Sequence, residues 1–200
     1  MESEPCSGIA ESILEVEQCG LPCGVQLSAG KHPGVEDEAG RLGFATRTPM
    51  PGMTLSPGDL ADVRALGLDV VRVENEEDLE GAARVAAVGS GAPLEFMLPL
   101  YAPALLQLAG FAVYVGRVGG EMVTTAMGYQ VDDEVAIFSV ATSPAHRRRG
   151  YGSVVTARAA RAGFDGGADL AWPAAGGRVG RPARDRGRRP GGRAAAAASL

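Results

Sequence analysis

Hydrophobic and polar positions alternate with a readable period over the middle of the chain. The run Leu68–Val73 (LDVVRV) is short and rich in β-branched residues, which predicts a strand. Asn75 follows as a helix N-cap, with Glu76, Glu77 and Asp78 in the first turn, where acids suit the helix dipole. Leu79, Ala82, Ala83 and Ala86 then recur at helical spacing along one face. Three apolar runs come next: FAVYVGRV (111–118), MVTTAMGYQV (122–131) and VAIFSVAT (135–142). A Gly119-Gly120 turn joins the first two, and an acidic Asp132-Asp133-Glu134 turn joins the last two, so the pattern predicts an antiparallel meander. Beyond Ser143-Pro144 the spacing predicts a helix from about Arg148, with Tyr151, Val154, Val155, Ala159 and Ala162 on one face. ADLAW (168–172) predicts one more strand. Upstream, residues 23–55 read as strand, helix, strand: CGVQLSAG, a helix after Pro33 carrying Val35, Ala39 and Leu42, then an extended stretch broken by Pro49 and Pro51. Residues 56–66 read as a connector.

The span Phe96–Gly116 holds no charge and has the length of a membrane helix. Pro99, Pro103 and Gly110 interrupt it, and no basic cluster flanks it. It divides into an apolar helix around Ala104–Ala109 and the buried strand from Phe111, so no membrane partner is expected. The acidic start lacks an apolar signal core. Cys6, Cys19 and Cys23 are odd in number, and Cys19-x3-Cys23 has neither zinc-knuckle nor redox-pair spacing. These features predict free thiols, no metal and a cytoplasmic location.

Composition changes the picture at the C-terminus. With 46% hydrophobic and 22% charged residues the chain as a whole is globular in kind. Of residues 173–200, however, 24 of 28 are Ala, Gly, Arg or Pro, without period, which predicts disorder. Such text also arises when a GC-rich gene is read out of frame. Charge is segregated as well: residues 1–142 carry −14 and residues 143–200 carry +9. An anionic ligand near the basic end, or a basic tail without function, is the implication.

The chemistry lies in VATSPAHRRRGYGS, Val140–Ser153. A strand ends, a proline turn follows, and a helix opens with Arg147, Arg148, Arg149, Gly150 and Gly152. Free N–H groups in a first helical turn, bare glycines and guanidinium groups together suit a pyrophosphate. In order, spacing and context, residues 68–172 resemble a GCN5-related N-acetyltransferase (GNAT) domain, whose acetyl-CoA signature Arg/Gln-x-x-Gly-x-Gly/Ala is matched by Arg147, Gly150 and Gly152. The resemblance implies an α/β fold, a mixed and mainly antiparallel sheet flanked by helices, here followed by the disordered tail. It divides the chain into an N-terminal segment 1–66, which resembles a degenerate acetyltransferase-like half, a GNAT domain 67–172, and the tail 173–200. It implies that VAIFSVAT carries a bulge, that Val140, Ala141 and Thr142 meet the pantetheine arm, and that Arg147, Arg148, Arg149, Gly150, Tyr151, Gly152 and Ser153 hold the pyrophosphate.

Acetyl-CoA as co-substrate and a primary amine as acceptor, small molecule or peptide, follow from the same resemblance. The family's frequent base, a carboxylate midway along the fourth strand, falls here on Ile137, Phe138 and Ser139. Its frequent acid, a late tyrosine, is missing, since no tyrosine follows Tyr151. No catalytic residue is therefore assigned. Two alternatives stay open: a CoA-binding module without transfer activity, and a truncated or frameshifted relic that binds CoA weakly and leaves an exposed apolar sheet edge. The arginines of the tail predict only non-specific nucleic-acid contact, without interleaved aromatics. Monomer and homodimer are both compatible with the sequence.

Overall fold

The computed structural model describes residues 53–173 without interruption, together with residues 10, 11, 13, 26–28, 33–44, 48–51 and 196–199. The chain divides into two compact units, one of residues 1–52 with 193–200 and one of residues 53–192. The division falls at Gly52, ahead of the predicted 66/67 boundary, because the connector belongs to the larger unit. Leu55 makes two backbone hydrogen bonds with Ala171, both of 2.8 Å.

In the smaller unit the strand–helix–strand reading is observed as β1 (Gln26–Ser28), α1 (Pro33–Arg41) and β2 (Thr48–Pro51). Val35 and Ala39 are buried, whereas Leu42 lies outside the helix and is exposed. The helix stops one residue earlier because Gly43 takes φ +94° and Phe44 donates back to the Ala39 carbonyl. Ala196–Ser199 pair antiparallel with both β1 and β2, a strand that the tail composition does not predict. The disorder expected of residues 174–195, and the three cysteines, lie outside the described residues.

The larger unit is built on β3 (Asp69–Arg72), β4 (Phe111–Val118), β5 (Glu121–Val131), β6 (Glu134–Thr142) and β7 (Leu170–Pro173), in that spatial order. All pairs are antiparallel except β6 with β7, so the predicted meander and the final strand are both present. Alternation along β4 sends Phe111, Val113 and Val115 to one face and Tyr114 to the other. Helix α2 (Glu76–Ser90) covers the first face with Leu79, Ala82, Ala83 and Ala86. The long helix α4 (Tyr151–Asp165) covers the second with Ala159 and Ala160, against Val135 and Ile137. Burying each such Val or Ile contributes roughly 1.5–3 kcal/mol.

The uncharged stretch departs from expectation. In place of one helix near 104–109 there is a short helix α3 (Leu94–Met97) followed by two 3₁₀ segments, Leu98–Tyr101 and Pro103–Gln107. Each proline sits at the start of its own segment, where its missing N–H costs nothing, and Gly110 at φ +76° turns the chain into β4. Among the described residues no helix is long and apolar enough to cross a membrane.

Candidate functional site

The predicted helix start at Arg148 moves to Tyr151, because Arg148 and Gly150 both take positive φ, +66° and +81°. Residues Pro144–His146 form a separate 3₁₀ turn. This geometry aims the first turn of α4 at open space. Its cap residue is Gly150, so no side chain accepts from the first N–H groups, and they remain available to an anion.

A groove of about 290 Å³ lies there, lined by Thr142, Arg147, Arg148, Gly150, Tyr151, Gly152, Ser153 and His146. Seven predicted residues thus meet at one place. Val140 and Ala141 lie next to it on β6, and Arg149 is exposed beside it without lining it. A Cβ built on Gly152 would stand 3.4 Å from Thr142 Oγ1 and 3.9 Å from Val140 Cγ1, so the protein itself tolerates a methyl group there. Anything larger would project into the groove.

The arginines divide by role. Arg147 donates from Nε to the Thr142 carbonyl at 3.2 Å and from its terminal nitrogen to the Gly89 carbonyl at 2.6 Å. It ties the last turn of α2 to the end of β6. Gly89 is seated so close that a Cβ would come 2.8 Å from that of Ala141. Arg148 makes no such tie among the described residues, and it lines the groove with φ at +66°. Tyr151 is buried and stacks on His146 at 6.4 Å between ring centres, which makes it a packing residue of the helix start. His146 was not singled out by the motif. Its Nδ1 is buried without a hydrogen-bond partner among the described residues, a feature visible only once the turn is folded.

The neighbouring edge of β6 is open. β7 pairs with Glu134–Ile137 and stops at Pro173, which has no N–H to extend the ladder. Residues 138–142 therefore face no strand on that side among the described residues. The expected bulge is there: Met127 pairs with Phe138 but Thr125 pairs with Ala141, so two residues, Ser139 and Val140, oppose Ala126 alone. The far edge of β7 is partly covered by Leu55 rather than left bare as the sequence suggested.

Groups for proton transfer are sparse near the bulge. Asp132, Asp133 and Glu134 are exposed at the β5–β6 turn, and Glu134 lies five residues from Ser139, about 16 Å along the strand. Tyr101 reaches the bulge instead, its hydroxyl 2.8 Å from Ser139 Oγ. Burial pushes this phenol above its ordinary range, against the opposing effect of the Ser139 and Thr125 hydroxyls. Sequence spacing could not find it, since 38 residues separate the pair. Among the described residues no three His, Cys, Asp or Glu side chains converge as a metal site.

Comparison with known proteins bears on the fold. Residues 90–174 match the family model described as the acetyltransferase (GNAT) family. A GCN5-related N-acetyltransferase from Kribbella flavida is 25% identical, with a TM-score of 0.63, over 95% of this chain and 72% of that one. A GCN5-related N-acetyltransferase from Sphaerobacter thermophilus shares the fold at 14% identity and TM-score 0.55, over 96% of this chain and 65% of its own. A GNAT-family structure from Novosphingobium aromaticivorans does so at 13% identity and TM-score 0.52, over 78% and 64%. No curated protein matches the chain.

Proposed function

We propose that this chain, whose residues 90–174 match the acetyltransferase (GNAT) family model, binds acetyl-CoA along the open edge of β6 and transfers the acetyl group to a primary amine. One observation carries the reading: the unpaired stretch 138–142 of β6 runs directly into the uncapped start of α4. A pantetheine arm has amides that can take the place of the missing strand. The pyrophosphate then falls on the N–H groups of Gly152 and Ser153, with Arg148 and Arg149 nearby to supply charge-assisted contacts. A cytoplasmic location, and a small-molecule or peptide amine as acceptor, belong to the same proposal.

The chemistry is addition of a neutral amine to a thioester carbonyl. An amine with a pKa near ~10 must first lose a proton. The oxyanion of the tetrahedral intermediate needs a donor, a role this reading gives to backbone amides at the bulge. Collapse expels the CoA thiolate, which takes up a proton. Among the described residues the nearest carboxylates on β6 stand at the β5–β6 turn, and water carries the amine's proton away. A second reading is CoA binding without efficient transfer.

Two measurements separate these. Calorimetry with CoA tests the site: Gly152→Trp fills the groove and abolishes binding while the far-UV CD spectrum stays unchanged. Undiminished affinity in that variant overturns the assignment. Thiol release from acetyl-CoA across a panel of amines then tests transfer, and binding without release leaves the second reading standing.

A further inference from the structure

Ser139 occupies an unusual place. It is the first of the two residues that form the β6 bulge, and its φ is +51°. Bulges with a left-handed first residue take glycine there, because a Cβ is strained in that region. A serine at this point needs a compensating contact, and its hydroxyl has one in the Tyr101 hydroxyl at 2.8 Å. Tyr101 is itself fixed, 3% exposed and packed among α2 and β4 side chains such as Leu79 and Val113. Thr125 Oγ1, completely buried on β5, lies beside the pair without a hydrogen bond of good geometry.

The bulge decides which way the open edge points. Ile137 and Val140 both pack on the α4 face, while Phe138 and Ala141 pack on the α2 face. A regular strand would put residues three apart on opposite faces. The extra residue reverses the alternation from Val140 onward, and with it the direction of the backbone groups between the bulge and α4.

We propose that Tyr101 is a positioning residue for acetyl transfer: its hydroxyl holds Ser139 in the left-handed conformation and so sets the backbone amides at the bulge toward the thioester. Tyr101 touches neither donor nor acceptor in this role. It acts through Ser139, and its buried phenol stays protonated at neutral pH. The role of the amides rests on the acetyl-CoA reading above, whereas the latch itself does not.

The test uses the full chain and three variants, Tyr101→Phe, Ser139→Ala and the double variant Tyr101→Phe/Ser139→Gly. Amide hydrogen exchange of residues 138–142 is measured without ligand, and turnover of acetyl-CoA is measured with a saturating amine. Tyr101→Phe and Ser139→Ala are expected to raise exchange at the bulge by about tenfold and to lower kcat more than they raise the KM for acetyl-CoA. Glycine adopts the left-handed conformation without help, so the double variant is expected to return both quantities to near the wild-type level. A hydroxyl needed for chemistry, or a tyrosine needed only for packing, gives no such rescue, and failure of rescue overturns the proposal. Should the wild-type chain turn over no acetyl-CoA, the exchange data alone decide the latch, and the functional reading fails separately.

Discussion

Asp78 joins a cap bond and an ion pair at the start of α2. Its backbone N–H donates to Asn75 Oδ1 at 2.8 Å, and its carboxylate accepts from Arg117 on β4 at 2.6 Å. The first is a helix cap and was legible, because capping chemistry needs only residues three apart. The second joins positions 39 residues apart and was not. Asn75→Ala is expected to cost about 1 kcal/mol, read as a lowered denaturation midpoint with an unchanged slope. The arginines allow a sharper contrast. Arg147→Gln removes the tie to Gly89 and Thr142 and is expected to lower thermal stability and CoA affinity together. Arg148→Gln is expected to weaken CoA binding, on the order of 1–3 kcal/mol, and to leave the melting temperature where it was. Equal melting temperatures for the two variants would refute the division of roles. Tyr101 and Tyr114 add a pH dependence. Burial raises both phenols above the ordinary 10.0, although Arg158 and Arg72 oppose this at Tyr114. A raised folded-state pKa means the stabilisation is complete below pH 10.0 and is lost as pH climbs through the folded values. Urea midpoints measured upward from pH 8 should hold and then fall, and less steeply in Tyr101→Phe.

Strands β3 to β6 and helix α2 were readable because apolar residues recur with a clean period and the turns carry Gly or Asp. The 3₁₀ segments were not, since an uncharged run bears no polar face from which to read a period. The bulge in β6 was anticipated only through family resemblance; the run VAIFSVAT shows nothing locally that singles out Ser139. Glycines within helices were equally silent, and the structure separates two kinds. At Gly81 of α2 a Cβ would stand 2.7 Å from Met122 Sδ, part of an unbranched side chain that can move aside. At Gly163 of α4 it would stand 2.5 Å from Val135 Cγ1 and 2.6 Å from Val135 Cβ. Val135 is buried and stiff at χ1, so α4 can approach the sheet this closely only through glycine. Gly81→Ala is expected to be neutral or to stabilise by up to about 1 kcal/mol through helix propensity. Gly163→Ala is expected to destabilise by about 1–3 kcal/mol despite the same propensity gain. Thermal melts of the two variants shifting in the same direction would contradict this account of how α4 meets the sheet.

Over the chain as a whole, charge is divided between a segment of −14 before residue 143 and one of +9 after it. Five of the later arginines, Arg147, Arg148, Arg149, Arg158 and Arg161, stand in α4 or the turn that leads to it. The acetyl donor proposed for this site is a polyanion and the acceptor, before it loses its proton, a cation. We infer that the arginines at the start of α4 draw the donor and the excess carboxylates of residues 53–142 draw the acceptor, without fixing the identity of the amine. Such steering acts over a Debye length, about 10 Å at 0.1 M salt, and fades as salt is added. Stopped-flow association of CoA is therefore expected to slow several-fold between about 50 and 200 mM salt, and to do so less steeply in Arg148→Gln/Arg149→Gln. With acetyl-CoA saturating, kcat/KM for a polyamine is expected to fall with salt faster than for a monoamine of similar size. The acidic body draws more strongly on the higher charge. If both amines, and CoA itself, respond to salt alike and weakly, the charge pattern plays no part in bringing the substrates to the site.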